Sequence, residues 1–220
     1  MQRVPEPELM DAPEQARAYA EADFAEAHDR LVSAFARHFP DAAPGHVLDL
    51  GCGPADVSVR FARAWPGARL DGIDAGPNML ALGRRAVEAA GLSQRVRLHQ
   101  GYLPRAVPPR PAYDAIISNS LLHHLAEPGA LWEAVRRFGA PGARVLVMDL
   151  TRPADERAWR ELVARYGADA PTVLREDFGN SLRAAYRPEE VAAQLDRAGL
   201  ALSVELISDR HLVVWGRMPG

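Results

Sequence analysis

From Val47 onward, short unbroken apolar runs alternate with longer stretches whose apolar positions recur every three or four residues. The runs Val47 to Leu50, Leu70 to Ile73, Val96 to Leu98, Ala115 to Ser118 and Val145 to Met148 predict buried strands. The stretches 55–64, 77–90 and 128–138 predict helices. Pro77 suits the first turn of one, Gly91 ends it, and GAPG (139–142) ends the next. Residues 104–112 are Pro-rich and read as a surface loop. Such runs alternating with helices imply a parallel sheet covered on both faces, with right-handed crossovers.

The two ends of the chain depart from this pattern. Residues 1–13 carry prolines and acids and read as a loose arm. Tyr19, Phe24, Ala27, Leu31, Ala34 and Phe35 then recur at helical spacing, predicting one helix over 13–39 that PDAAPG (40–45) breaks. Past the fifth strand, 154–166, 170–185 and 187–198 predict helices, with Gly199 as a stop. Residues 202–207 and 211–215 predict an antiparallel hairpin across a short SDR turn. No repeat interrupts the chain, so 1–220 reads as a single domain: arm and cap helix in 1–45, core in 46–150, further helices and the hairpin in 151–220.

Composition adds exclusions. At 48% hydrophobic residues the 220-residue chain can build a full core. A net charge of −3 argues against a nucleic-acid binder, although all 26 cationic residues are arginine. The sole cysteine, Cys52, excludes an intrachain disulfide and a multi-cysteine metal site. The acidic N-terminal segment has no apolar core of a secretory signal, and no apolar stretch is long enough to span a membrane. A cytoplasmic protein is the expectation.

The chemistry concentrates where the first strand ends. Asp49 is followed by Gly51-Cys52-Gly53-Pro54, and the second strand closes on Asp74. Glycines after a strand let the backbone turn sharply and approach a ligand, and the following helix points its amides at it. An acid about 20 residues further on can grip a ribose diol. That pattern alone suits any adenosine-type ligand. Asp49 narrows it: a carboxylate beside the turn would repel a pyrophosphate and favour an ammonium or sulfonium. S-adenosylmethionine carries both, with a ribose for Asp74. The other reading of Asp49, that it only caps the turn, stays open at this point.

VLDLGCGPAD, LDGIDAGPNML, YDAIISNSLLHHL and RVLVMDL, in this order, resemble the class I S-adenosylmethionine-dependent methyltransferases over roughly residues 46–150. The resemblance implies a doubly wound α/β fold with a seven-stranded, mostly parallel sheet in the order 3-2-1-4-5-7-6, strand 7 antiparallel, and an N-terminal helical cap. It implies S-adenosylmethionine as cofactor, with Asp49, Gly51 and Gly53 at the methionyl end, Asp74 at the ribose, Met79 near the adenine, Asn119 beside the amino acid moiety, and Ala75 as a further cofactor contact. Gly101 and Tyr102 follow the third strand, where the family often places an acid for the adenine amino group. With Tyr102 there, stacking or backbone atoms would take over. Ala55 stands where a third glycine is usual. Tyr19 either closes the cofactor site or packs the cap helix onto the body.

An in-line methyl displacement chiefly needs alignment of nucleophile, methyl and sulfur. Polar residues after the fourth and fifth strands therefore face a small-molecule methyl acceptor. His123 and His124 are the candidate catalytic pair; neighbours about 100° apart on a helix cannot both point the same way, and LLHHL also fits a helix start. Ser120, Arg152, Asn180, Ser181, Tyr186 and His211 are candidate acceptor-binding residues. Arg152 either binds an anionic group or pairs with Asp155 or Glu156. Asn180 either faces the acceptor from a lid helix or caps a helix starting at Ser181. His123, His124, Asp149 and His211 match no metal-ligand spacing, so no metal is expected. A homodimer is compatible with this reading. The competing class is an S-adenosylmethionine-binding accessory protein without turnover.

Overall fold

The computed structural model describes every residue except Glu8, Met10 and Asp23. In chain order the elements are α1 (Pro13–Glu21), α2 (Ala25–His38), β1 (His46–Leu50), α3 (Asp56–Ala64), β2 (Arg69–Asp74), α4 (Pro77–Ala89), β3 (Val96–Gln100), β4 (Tyr113–Asn119), a 3₁₀ turn (Leu122–His124), α5 (Gly129–Phe138), β5 (Gly139–Leu150), α6 (Glu156–Tyr166), α7 (Thr172–Ala184), α8 (Pro188–Ala198), β6 (Ser203–Leu206) and β7 (His211–Arg217). The seven strands form one sheet in the order β3-β2-β1-β4-β5-β7-β6. All pairs are parallel except β5 with β7 and β7 with β6.

Strand periodicity divides the apolar side chains between two cores. Leu48, Leu50, Ile116, Val145, Val147, Leu212 and Val214 join Leu131, Trp132 and Val135 of α5 and Val191 and Leu195 of α8. Val47, Ala115, Ile117, Leu146, Met148 and Val213 join Phe35 of α2, Phe61 of α3 and Val87 of α4 on the other face. Consecutive residues of one strand thus serve opposite layers, which is why the runs read as continuously apolar.

Three expectations change. The stretch 13–39 is two helices, not one. Phe24 leaves the helical register and lays its ring 4.7 Å from that of Tyr19, which aims both aromatics at the cavity described below. The fifth strand begins at Gly139 rather than Val145, within the GAPG that ends α5: Gly139 pairs with Tyr113, a register shift follows, and Gly142, at φ +74°, absorbs it. The arm is tied down: Val4 N donates to Arg183 O at 3.1 Å, and the Arg3 side chain bonds the carbonyls of Ala184, His123 and Leu125.

Candidate functional site

The carboxyl ends of β1, β2, β4 and β5 open into a cavity of about 630 Å³. Open α/β sheets place ligands at this edge, and the volume falls among pockets of roughly 300–1,000 Å³ that enclose drug-sized molecules. β1 lies between β2 and β4, so the chain departs to opposite sides at this point and leaves a crevice.

One wall is the glycine turn. The amides of Gly51 and Cys52 both donate to Ile73 O, at 2.8 and 3.0 Å, pinning the turn to the end of β2. Gly51 sits at φ +73°, and a Cβ on it would fall 2.9 Å from Leu121. Gly53 is also left-handed, at φ +49°, and a Cβ there would meet nothing within 4 Å. Ala55 adopts φ +65°, so this position keeps a glycine's backbone without being glycine. Asp74 accepts from the amides of Gly53 and Gly76, each at 2.8 Å, locking the turn to the start of α4. Burial raises the pKa of its carboxyl. Asp49 is buried and accepts from Ser58 Oγ at 2.5 Å; burial pushes its pKa up to about 7. Ala75, Met79, Gly101, Tyr102 and Asn119 line the same wall, and Asn119 Oδ1 is buried with no hydrogen-bond partner among the described residues. Cys52 is buried too, and burial raises its thiol well above the ordinary value, so it is no nucleophile.

The opposite wall is assembled from distant segments. Asp149, at the end of β5, is buried and accepts from Leu122 N at 2.7 Å. It also holds His123 Nδ1 at 2.5 Å. Burial opposes protonation of His123, but Asp149, with Glu6 beyond it, outweighs burial and raises its pKa. His124, also lining the cavity, is driven down to about 3 by burial and by His123, so it is neutral. His211 is neutral for the same first reason, at about 4, and its Nδ1 lies 2.9 Å from Ser208 Oγ. Ser120 lines the cavity at φ +54°, a strained conformation of the kind that gathers at functional sites. Tyr19, Phe24 and His28 enter from α1, α2 and the break between them. Burial and the acids Asp56, Asp149 and Asp74 lift the Tyr19 hydroxyl to about 12, which keeps it a donor. Leu174, Asp177, Phe178 and Ser181 present one face of α7 to the cavity. Arg165 and Arg210 stand at its rim, both bonded to Asp209, with the Arg210 guanidinium 3.3 Å above the Tyr166 ring.

Three candidates fall outside. Asn180 is exposed on α7, because that helix starts at Thr172 and not at Ser181, so the residue is interior to it and one step round from Ser181. Arg152 is buried away from the cavity, bonding Ala185 O at 2.7 Å and Glu190 at 2.6 Å; its ion partner is Glu190 rather than Asp155 or Glu156. Tyr186 donates to Leu125 O at 3.0 Å beneath the Arg3 guanidinium, bracing the segment after the 3₁₀ turn. Their polarity is spent on holding the walls.

The arm supplies what the sequence pattern missed. Glu6 Oε1 lies 3.5 Å from His123 Nε2 and 3.3 Å from His124 Nδ1, and burial raises its pKa. Leu9 lines the cavity. Asp11 accepts from the amides of Asn78 and Met79, at 2.9 and 3.1 Å, and so caps α4, which has no side-chain cap from its own N-cap residue. No apolar periodicity marks these residues, and the prolines and acids of the arm read as a loose segment.

A family model described as a methyltransferase domain matches residues 47–143. The trans-aconitate 2-methyltransferase of Streptomyces coelicolor is 33% identical over 78% of this chain and 56% of its own length. The demethylmenaquinone methyltransferase of Thermus thermophilus is 30% identical over 76% of this chain and 79% of its own. The chain thus spans little more than half of the first relative and about four fifths of the second. A crystal structure of a S-adenosylmethionine-dependent methyltransferase from Aquifex aeolicus superposes with a TM-score of 0.70 at 17% identity, covering 94% of this chain and 98% of that one, which supports the fold.

Proposed function

The chain belongs to the class I S-adenosylmethionine-dependent methyltransferases, with S-adenosylmethionine as cofactor, and from that premise we propose that it methylates an oxygen of a small acidic molecule. When bound, the cofactor supplies an electrophilic methyl on a positively charged sulfur. The residues fit it. Asp49 is a buried carboxylate with a hydroxyl partner and wants a cation; Asn119 Oδ1 wants a donor; Gly53 leaves its Cα face open. In this reading Asp49 and the turn hold the amino acid end, Asp74 and Ala75 the ribose, and Met79, Gly101 and Tyr102 the base.

The observation that carries the acceptor class is the polarity of the opposite wall: neutral imidazoles inside, arginines at the rim. A neutral His211 accepts a hydrogen bond from a hydroxyl and orients its oxygen toward the methyl. His123, clamped by Asp149, positions the 3₁₀ turn that carries His124. Phe24, Leu174 and Phe178 take the apolar body of the acceptor, and Ser120 and Ser181 its polar edges. Arg165 and Arg210 suit a carboxylate at the far end. A hydroxylated aromatic acid meets these demands.

Incubation of the full chain with methyl-labelled cofactor and a panel of carboxylic and phenolic acids tests the reading. Expected is a labelled methyl ether, with Arg210→Ala raising the acceptor KM about tenfold, near 1.4 kcal/mol, and sparing cofactor affinity. Transfer only to neutral quinones or amines would overturn the acceptor class. Tight cofactor binding with no transfer to any acceptor would favour an accessory protein.

A further inference from the structure

We propose that Glu6, His123 and His124 form a binding site for a first-row transition-metal dication, with zinc as the ion that suits it best. One ligand atom from each, Oε1 or a ring nitrogen, lies within 4.8 Å of the others. Two of the separations are 3.3 Å (Glu6 Oε1 to His124 Nδ1) and 3.5 Å (Glu6 Oε1 to His123 Nε2). Donors about 2.0–2.1 Å from a tetrahedral zinc stand about 3.4 Å from one another, so these two separations match two edges of a zinc coordination tetrahedron.

The hydrogen bonding around the cluster points the same way. Glu6 Oε1 and His124 Nδ1 are both buried and both lack a hydrogen-bond partner among the described residues, although they face each other. Two buried lone-pair carriers turned on one point call for a shared cation. His123 is oriented from behind by Asp149 on its other nitrogen, at 2.5 Å. A carboxylate on the far ring nitrogen is how proteins fix the tautomer and direction of a metal-binding imidazole. Ser181 Oγ approaches the second Glu6 oxygen at 3.4 Å. Two imidazoles and one carboxylate select borderline ions over magnesium or calcium, and three protein ligands leave a coordination position open.

The site ties the N-terminal arm to the acceptor wall. Arg3, anchored on Ala184, His123 and Leu125, and Asp11, anchored on α4, hold the arm on either side of Glu6. The inference does not depend on which acceptor is methylated, and its test reads metal binding rather than turnover.

The full chain, stripped with a chelator, is titrated calorimetrically with Zn²⁺ alone. Expected is one ion per chain, with affinity falling at least tenfold in Glu6→Gln and in His124→Ala and unchanged in His99→Ala, whose imidazole pairs with Asp71 elsewhere. Zn²⁺ should also raise the Tm of the unmodified chain and not that of Glu6→Gln. Absence of binding, or equal affinity in all four proteins, would overturn the site. A reading that needs no variant is the visible spectrum with Co²⁺. Intense bands of a four-coordinate ion support the site, and the weak spectrum of the aquo ion refutes it.

Discussion

At the glycine turn, the cavity wall is made of strand ends that hydrogen-bond to one another: Gly51 and Cys52 to Ile73, Gly53 and Gly76 to Asp74. At the opposite wall, Arg3 reaches the carbonyls of His123 and Ala184, Glu6 meets the histidines, and α7 closes from the far end of the chain. The first wall is contiguous backbone geometry that a parallel sheet holds rigid. The second is a convergence of side chains from elements with little contact in sequence. A wall of the first kind suits a ligand that never changes, since the sheet fixes each donor. A wall of the second kind can be altered segment by segment without disturbing the sheet, which suits an acceptor-specific surface.

Perturbing each wall separately sharpens this contrast. The largest effect is expected from Gly51→Val. A β-branched residue at φ +73° would be strained and would strike Leu121, so cofactor affinity should fall by about 3 kcal/mol, read by calorimetry with S-adenosylhomocysteine. Asp74→Ala comes next, losing the proposed diol contact and freeing the Gly53 and Gly76 amides, with an expected loss of about 2 kcal/mol in the same titration.

Arg3→Ala strikes only the wall proposed to hold the acceptor. It should raise the acceptor KM about tenfold, near 1.4 kcal/mol, and leave cofactor affinity within a factor of two; a matching loss of both would break the division between the walls. The smallest effect is in pH. Asp49 in the cofactor-free chain holds its proton up to about 7, against an ordinary 3.8. A cationic ligand favours the ionised carboxylate, so affinity should climb severalfold as pH rises from 6 to 8 and level off above that. Asp49→Asn should flatten the profile; a slope that survives it would move the ammonium elsewhere.

How far these walls were legible in the sequence follows from how each is made. VLDLGCG and LDGID specify strands, a left-handed turn and two acids within one continuous segment, so Asp49, Gly51, Gly53 and Asp74 line the cavity where the pattern put them. Arg152, Asn180 and Tyr186 carried the same polarity as true lining residues, but tertiary contacts turned them onto Glu190, solvent and Leu125. Glu6 could not be paired with His123 from spacing, because they stand 117 positions apart in the sequence and only the folded arm brings them together.

The order of apolar runs and helical stretches determined by itself the alternating β/α layout, and the motifs implied the strand order, because strand burial, glycine turns and terminal acids are local and periodic. The folded chain decided the split of the first helix at Phe24, the course of the arm, the neutral state of His124 and the clamp of Asp149 on His123. Those depend on burial and on partners far apart in the chain, quantities that no window of sequence contains.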